Sequence, residues 1–266
     1  MGKVFVITSG KGGVGKSTTT ANLGHALAEQ GKNVLLIDSD IGLRNLDLVL
    51  GLENRVIFDI VDVLQGRCRA RQAIIHDKKN SRLALLPASQ THDKTAVSPE
   101  QMEKLMTELK ESYDFILIDC PAGIEQGFKN AIAGADEALL ICTPEVSSIR
   151  DADRVIGLLS STEIESVRLI VNRVKYDLIR KGDMLSVEDV EEVLGLKAIG
   201  AIPDDELVIR GSNLGEAVIN MGKSPAGAEY KRIASVLCGA SVPELVKKSG
   251  LSSWLGKLFG LESKAG

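Results

Sequence analysis

Short hydrophobic runs recur along the chain, and polar residues do not alternate within them. VFVIT (4–8) and FILID (115–119) are two examples. A strand covered on both faces has this composition, whereas a strand with one exposed face alternates between polar and apolar residues. We therefore predict buried strands at residues 4–8, 33–38, 83–87, 115–119, 137–143, 167–172 and 198–203.

Segments with helical periodicity lie between these runs. We predict helices near residues 16–29, 56–65, 99–112, 126–133, 149–161, 187–194 and 225–238. Alternating strands and helices are typical of a doubly wound α/β fold, in which a mainly parallel sheet carries helices on both faces. One domain of this class, over residues 1–242, is a routine size for such a fold.

The last part of the chain, residues 243–266, has a different pattern and is expected to form an amphipathic tail. On a helical period its bulky apolar residues fall on one stripe: Leu251, Trp254, Leu255, Leu258 and Phe259. Small residues and lysines occupy the other side. The segment is too short to span a bilayer but suits the interface with an anionic membrane. A helix docked on the core is the alternative.

Composition narrows the classes of function. The chain has 32 Lys and Arg against 36 Asp and Glu, a formal net charge of −4. This balance argues against an overall electrostatic preference for nucleic acid. Its four cysteines form no CxxC pair, so neither a zinc site nor a redox motif is indicated. A reduced, cytoplasmic compartment fits best.

A glycine-rich loop, GKGGVGKST (10–18), follows the first predicted strand and opens the first helix. The pattern G-x-x-x-x-G-K-[ST] in this context is typical of a phosphate-binding loop. Its backbone N–H groups would surround phosphates, Lys16 would reach the β- and γ-phosphates, and Ser17 would ligate Mg²⁺. The predicted binding residues are Gly10, Lys11, Gly12, Gly13, Val14, Gly15, Lys16, Ser17 and Thr18. A glycine-rich turn before a helix is the alternative.

Two acidic residues follow predicted strands at the edge where ligands bind in such folds. Asp40 stands just beyond the second strand, and Asp119 ends the run FILID. We expect Asp40 to orient the attacking water or accept its proton, and Asp119 to hold Mg²⁺ directly or through water. A helix N-cap or a turn residue is the alternative for each.

The second lysine of the loop, Lys11, is less easily explained. From the residues alone, a solvated surface charge is the simpler interpretation, because a lysine at the outer lip of the loop has a long flexible stem. Asn172 ends another predicted strand, and its amide suits an adenine edge. Asparagine at a strand end is also a common turn former.

Four segments taken together resemble the MinD/ParA family of deviant Walker A ATPases. They are KGGVGKST (11–18), DSDIGLRNLD (38–47), DCPAGIE (119–125) and IPDD (202–205). The resemblance implies a P-loop NTPase fold that uses ATP, ADP and Mg²⁺. In that family the extra lysine reaches across a dimer to the partner's phosphates, which implies a catalytic role for Lys11 in addition to those expected for Lys16 and Asp40. It also implies that Asn172 contacts adenine and that Asp204 lies beside the base.

Within this family the chain is most similar to the septum site-determining members. GLRNLDLVLGLENR (42–55) and SSIRDADRVIGLL (147–159) carry that similarity. It implies a homodimer that forms with ATP and binds the inner face of the cell membrane through its tail. A division inhibitor of the MinC type and an activator of the MinE type would be its partners, with no specific nucleic acid.

Three other functions use related loops. A ParA-type partitioning ATPase would need a basic surface for duplex DNA and has no use for an apolar tail. An iron–sulfur reductase component would need bridging cysteines; Cys120 lies beside Asp119, but a second ligand is not evident. A small-molecule kinase or ligase would need a substrate pocket, for which no dedicated motif is found.

Overall fold

The computed structural model describes residues 2–241. The predicted tail, with its stripe of Leu251, Trp254, Leu255, Leu258 and Phe259, lies outside the described residues. The boundary between residues 242 and 243 therefore stays a prediction.

Over the part of the chain that the structure describes, eight strands form one sheet in the order β3-β4-β2-β5-β1-β6-β7-β8. They are β1 Lys3–Thr8, β2 Val34–Asp38, β3 Ile75–His76, β4 Leu83–Leu86, β5 Phe115–Asp119, β6 Glu137–Cys142, β7 Ser166–Val174 and β8 Ala198–Pro203. All neighbouring strands are parallel except β3 and β4. The predicted mainly parallel sheet is confirmed.

Helices cover both faces of this sheet and bury one apolar cluster on each side. They are α1 Lys16–Glu29, α2 Leu46–Val49, α3 Ile60–Leu64, α4 Ala70–Ala73, α5 Pro99–Leu109, α6 Gln126–Ile132, α7 Val146–Leu159, α8 Tyr176–Lys181, α9 Val187–Leu194, α10 Glu206–Leu214 and α11 Pro225–Leu237. Short 3₁₀ turns lie at Glu53–Arg55, Lys94–Ala96 and Val218–Asn220. The doubly wound class is thereby confirmed.

Local sequence sets where several helices begin. The hydroxyl of Ser98 accepts a hydrogen bond from the backbone of α5, and Pro99 occupies the first helical position. Ser224 and Pro225 play the same two parts at α11. Serine caps the unpaired N–H groups of a first turn, and proline suits a position whose N–H has no helical acceptor.

The short elements differ from the prediction. The antiparallel strand β3 and the helices α2, α4, α8 and α10 were not predicted. α8 buries none of its residues and α10 buries only Gly211, so neither carries a fully buried apolar stripe. Within residues 2–241, none of the helices combines the length and apolarity needed to span a bilayer.

The register of the central strands gathers polar residues at one edge. Asp119 at the end of β5 lies opposite Ile7 of β1 on one side and Asp38 of β2 on the other. The loop after β1 leaves from the same edge. Because parallel strands end together, residues far apart in sequence meet there.

Candidate functional site

The loop between β1 and α1 depends on two glycines with left-handed backbone. Gly13 has a φ of 76° and Gly15 a φ of 99°. Gly15 is also sterically confined, because a Cβ there would lie 2.4 Å from Nδ2 of Asn172. Only glycine meets both conditions without strain. The loop therefore turns tightly and delivers its chain into the N-terminus of α1.

Other glycines bring the loop against neighbouring segments. A Cβ on Gly10 would lie 2.1 Å from the carbonyl oxygen of Asp151, so the loop packs directly on the backbone of α7. A Cβ on Gly12 would lie 3.7 Å from the Cβ of Ala122 in the loop after β5. The phosphate loop is thus enclosed between α7 and the segment that follows Asp119.

Lys16 is directed into the loop. Its side chain belongs to a residue only 8% exposed. The ammonium donates to Oγ of Ser9 at 3.1 Å, and that hydroxyl donates to the carbonyl of Lys11 at 2.8 Å. A buried cation in a glycine-rich loop at the N-terminus of a helix is a suitable partner for phosphate.

Lys11 lies on the rim of the same loop. Its side chain is 42% exposed. Its Nζ lies 3.1 Å from Oγ of Ser147 and 3.7 Å from a carboxylate oxygen of Glu145, both at the N-terminal end of α7. The two lysines of one loop therefore have opposite environments.

Asp119 is a buried carboxylate of the site, at 1% exposure, and Asp38 beside it is fully buried. The hydroxyls of Ser17 and Thr20 hydrogen-bond to it, the latter at 3.4 Å. Burial, followed by the charge of Asp38, raises the pKa of Asp119, and burial also raises the pKa of Asp38. A divalent cation would offset this repulsion, and oxygen ligands are the kind that Mg²⁺ prefers. The residues present therefore fit a magnesium site.

Asp38 organises the loop that carries Asp40. Its carboxylate accepts the N–H groups of Asp40, Asn45 and Leu46, each at 3.0 Å. The carbonyl of Asp40 in turn accepts N–H groups further along this loop. The carboxylate of Asp38 thus ties both ends of the loop to the end of β2. Asp40 is held half-buried at the edge of the site.

Asn172 reaches the phosphate loop, but Asp204 does not contact it in the same way. Asn172 donates to the carbonyl of Val14 at 2.8 Å and accepts from the N–H of Arg173. The N–H of Asp204 donates to the carbonyl of Val174, and its carboxylate lies 3.3 Å from Nζ of Lys175. These contacts tie Asp204 to the end of β7 and the residue after it.

Comparison with known proteins places this site in a family. A family model described as an AAA domain matches residues 2–167. The septum site-determining protein MinD of Bacillus subtilis is 51% identical over 268 residues, which covers 99% of this chain and 100% of that protein. The chain belongs to the MinD family of septum site-determining proteins.

Solved structures agree with the MinD assignment. The chain is similar to MinD in the MinC:MinD cell division protein complex of Aquifex aeolicus, with 50% identity and a TM-score of 0.85 over 93% of this chain and 100% of that one. It is also similar to Pyrococcus horikoshii MinD complexed with Mg-ADP, with 31% identity and a TM-score of 0.81 over 89% and 96%. The P-loop NTPase fold and the resemblance to the MinD/ParA ATPases are confirmed.

Some residues of this MinD-family site were not found from the sequence. Asp38 was noted only as the end of a strand, although an acid two residues before Asp40 was a usable signal. No motif or periodicity in the sequence indicated Ser9, Glu145 or Ser147. Lys11 and Ser147 are separated by 136 residues, so only the packing of α7 on the loop reveals their contact.

Proposed function

We propose that this MinD-family chain is an Mg²⁺-dependent ATPase that dimerises with ATP and associates with the inner face of the cell membrane. There it recruits a MinC-type division inhibitor, and a MinE-type activator releases it. The main support for this proposal is the difference between the two lysines of the loop. Lys16 is buried in the loop, whereas Lys11 lies at its rim. The Aquifex aeolicus relative in a MinC:MinD complex supports the inhibitor as a partner.

The nucleotide would be bound chiefly by the loop. Backbone N–H groups of residues 10–18 and the ammonium of Lys16 would hold the phosphates. Asn172 and Asp204 would flank the base; the amide of Asn172 keeps a second donor and a second lone pair for this contact. Ser17 and Asp119 would hold Mg²⁺, which neutralises phosphate charge when bound. The Mg-ADP complex of the Pyrococcus horikoshii relative supports ADP and Mg²⁺ as ligands.

Hydrolysis would need residues from two chains. Asp40 would orient the attacking water or accept its proton, held in place by the contacts of Asp38 with its loop. Lys11 would leave Ser147 and Glu145 and extend to the phosphates of the partner. A cation delivered across a dimer makes turnover depend on dimerisation.

Membrane association would come from the tail, which lies outside the described residues. One amphipathic helix binds weakly, whereas two tails joined in a dimer make the second insertion intramolecular and raise avidity by about 10²–10⁴. ATP would thus control membrane affinity through dimerisation. The protein would be cytoplasmic with ADP and peripheral on the membrane with ATP.

A pair of tail variants tests this part of the proposal. Trp254→Glu puts a charge on the apolar stripe, and Ser253→Glu puts the same charge on the opposite side. In sedimentation with anionic vesicles and ATP, we expect Trp254→Glu to lower binding by about tenfold or more and Ser253→Glu to have a smaller effect. Equal vesicle binding by Trp254→Glu and the wild type contradicts the anchor. Both variants should keep nucleotide binding.

A further inference from the structure

The two outer edges of the sheet are unequal. β3, at one end, is two residues long, Ile75–His76. β8, at the other end, is six residues long, Ala198–Pro203, and pairs with β7 on its inner side. An edge strand of this length presents backbone donors and acceptors on which another strand can pair. The edge at β8 is therefore the one that invites association with another chain.

Side chains occupy the outward backbone groups of β8. Oε1 of Glu229 accepts the N–H of Ala201 at 2.8 Å, and Nη2 of Arg232 donates to the carbonyl of Ile199 at 2.6 Å. Alternate residues of a strand direct both N–H and C=O to the same side, so Ile199 and Ala201 supply the outer pair.

Glu229 and Arg232 act as one unit. Nε and Nη2 of Arg232 lie 2.8 and 2.7 Å from the two carboxylate oxygens of Glu229, a bidentate pair. The side chains are 16% and 29% exposed, so the pair is largely shielded from water. One donor and one acceptor, joined at fixed spacing, reproduce what a residue of a neighbouring strand would offer.

The close packing of α11 holds this pair in place. A Cβ on Gly200 would lie 2.4 Å from side-chain carbons of Ile233, so the helix approaches β8 closely. Glu229, Arg232 and Ile233 occupy neighbouring turns of that helix. The position of the helix therefore fixes the ion pair beside the edge of β8.

We propose that the Glu229–Arg232 pair closes the β8 edge against a second copy of this chain. The occupant it excludes is the β8 of another molecule, because a two-fold axis can pair two identical edges into one continuous sheet. Such pairing would need no nucleotide. This inference rests on the proposed function: with the β8 edge closed, dimerisation depends on ATP alone.

The test compares variants of the full chain without nucleotide. Glu229→Ala/Arg232→Ala removes both groups, whereas Glu229→Gln keeps an acceptor for the N–H of Ala201 and serves as the matched control. In sedimentation velocity, we expect the double variant to associate with rising concentration and Glu229→Gln to sediment like the wild type. Arg168→Ala breaks an ion pair with Glu137 inside the sheet and controls for general destabilisation. A folded double variant that sediments like the wild type overturns the proposal.

Hydrogen exchange gives an independent readout that needs no association. In the wild type the Ala201 amide should exchange slowly although β8 lies at the sheet edge. Glu229→Ala should accelerate that exchange by about tenfold, the effect of losing one hydrogen bond, while Glu229→Gln should not. Fast exchange of Ala201 in the wild type overturns the proposal even if the double variant fails to fold. Self-association of the wild type without nucleotide would contradict the proposed control of dimerisation by ATP. The role of the Glu229–Arg232 pair is tested separately, by the difference in association between each variant and the wild type.

Discussion

The interior and the rim of the phosphate loop show how one short segment can hold two charges for different purposes. Lys16 is 8% exposed and donates to Ser9 of the same loop. Lys11, five positions earlier, is held at the surface by Ser147 and Glu145 at the N-terminal end of α7. A buried lysine has a fixed target, whereas a half-exposed one on a flexible stem can exchange partners. We therefore expect Lys16 to govern the binding of ATP and Lys11 to govern its turnover.

The largest expected effect comes from the rim. Lys11→Ala should keep ATP binding but lower turnover by about 10³-fold or more, because a cation supplied in trans to phosphoryl transfer is worth that much. Phosphate release at saturating ATP measures the loss, and equilibrium binding of ATP shows whether affinity is kept. Lys104→Ala, at an exposed position on α5, is the matched control and should be unchanged. A fully active Lys11→Ala would return Lys11 to an ordinary solvated charge.

A smaller effect, on the affinity for ATP, is expected from replacing Lys16 in the interior of the loop. Lys16→Gln should weaken ATP binding by about 10–10²-fold, since hydrogen bonds to charged groups contribute about 1.5–3 kcal/mol each. Dimerisation and vesicle binding with ATP should fall with it. Calorimetric titration with ATP measures the affinity. If Lys16→Gln still dimerises with ATP like the wild type, the assignment of the phosphate loop is wrong.

The smallest effect concerns the loop backbone that separates the two lysines. Gly15→Ala should lower the free energy of unfolding by about 1–3 kcal/mol, because its backbone is left-handed and its Cβ would meet Asn172. Gly31→Ala has a similar φ of 84° but nothing within 4 Å of the added Cβ. The difference between the two variants in the free energy of unfolding, measured with urea, gives the steric part of the destabilisation. Equal losses would mean that the approach of Asn172 to the loop is not a constraint.

Local patterns made much of this molecule predictable. The apolar strand, the glycine loop and the start of α1 are contiguous, so the sequence alone located Lys16, Ser17 and the turn before them. Asp119 was equally predictable, because an acid at the carboxyl end of a buried parallel strand lies at the edge of the sheet where ligands bind.

Long-range contacts were not predictable in the same way. The contact of Lys11 with α7 joins elements far apart in the chain, and so do the hydrogen bonds from α11 to β8. Arg44 and Arg173 have positive φ angles without being glycine, so composition gave no sign of them. α8 has no buried face and therefore no periodicity to detect. Packing decides these features, and a single sequence does not record it.

Mixing two inactive variants shows whether Lys11 serves the nucleotide of the partner chain. Lys11→Ala retains Asp40, and Asp40→Ala retains Lys11. In a mixed dimer, one site combines Asp40 of the first chain with Lys11 of the second, whereas its counterpart lacks both. Random mixing of equal amounts should therefore restore about a quarter of wild-type phosphate release, because half of the dimers carry one complete site. If mixed dimers form, as sedimentation with ATP can verify, and phosphate release stays at the level of the separate variants, Lys11 does not act in trans.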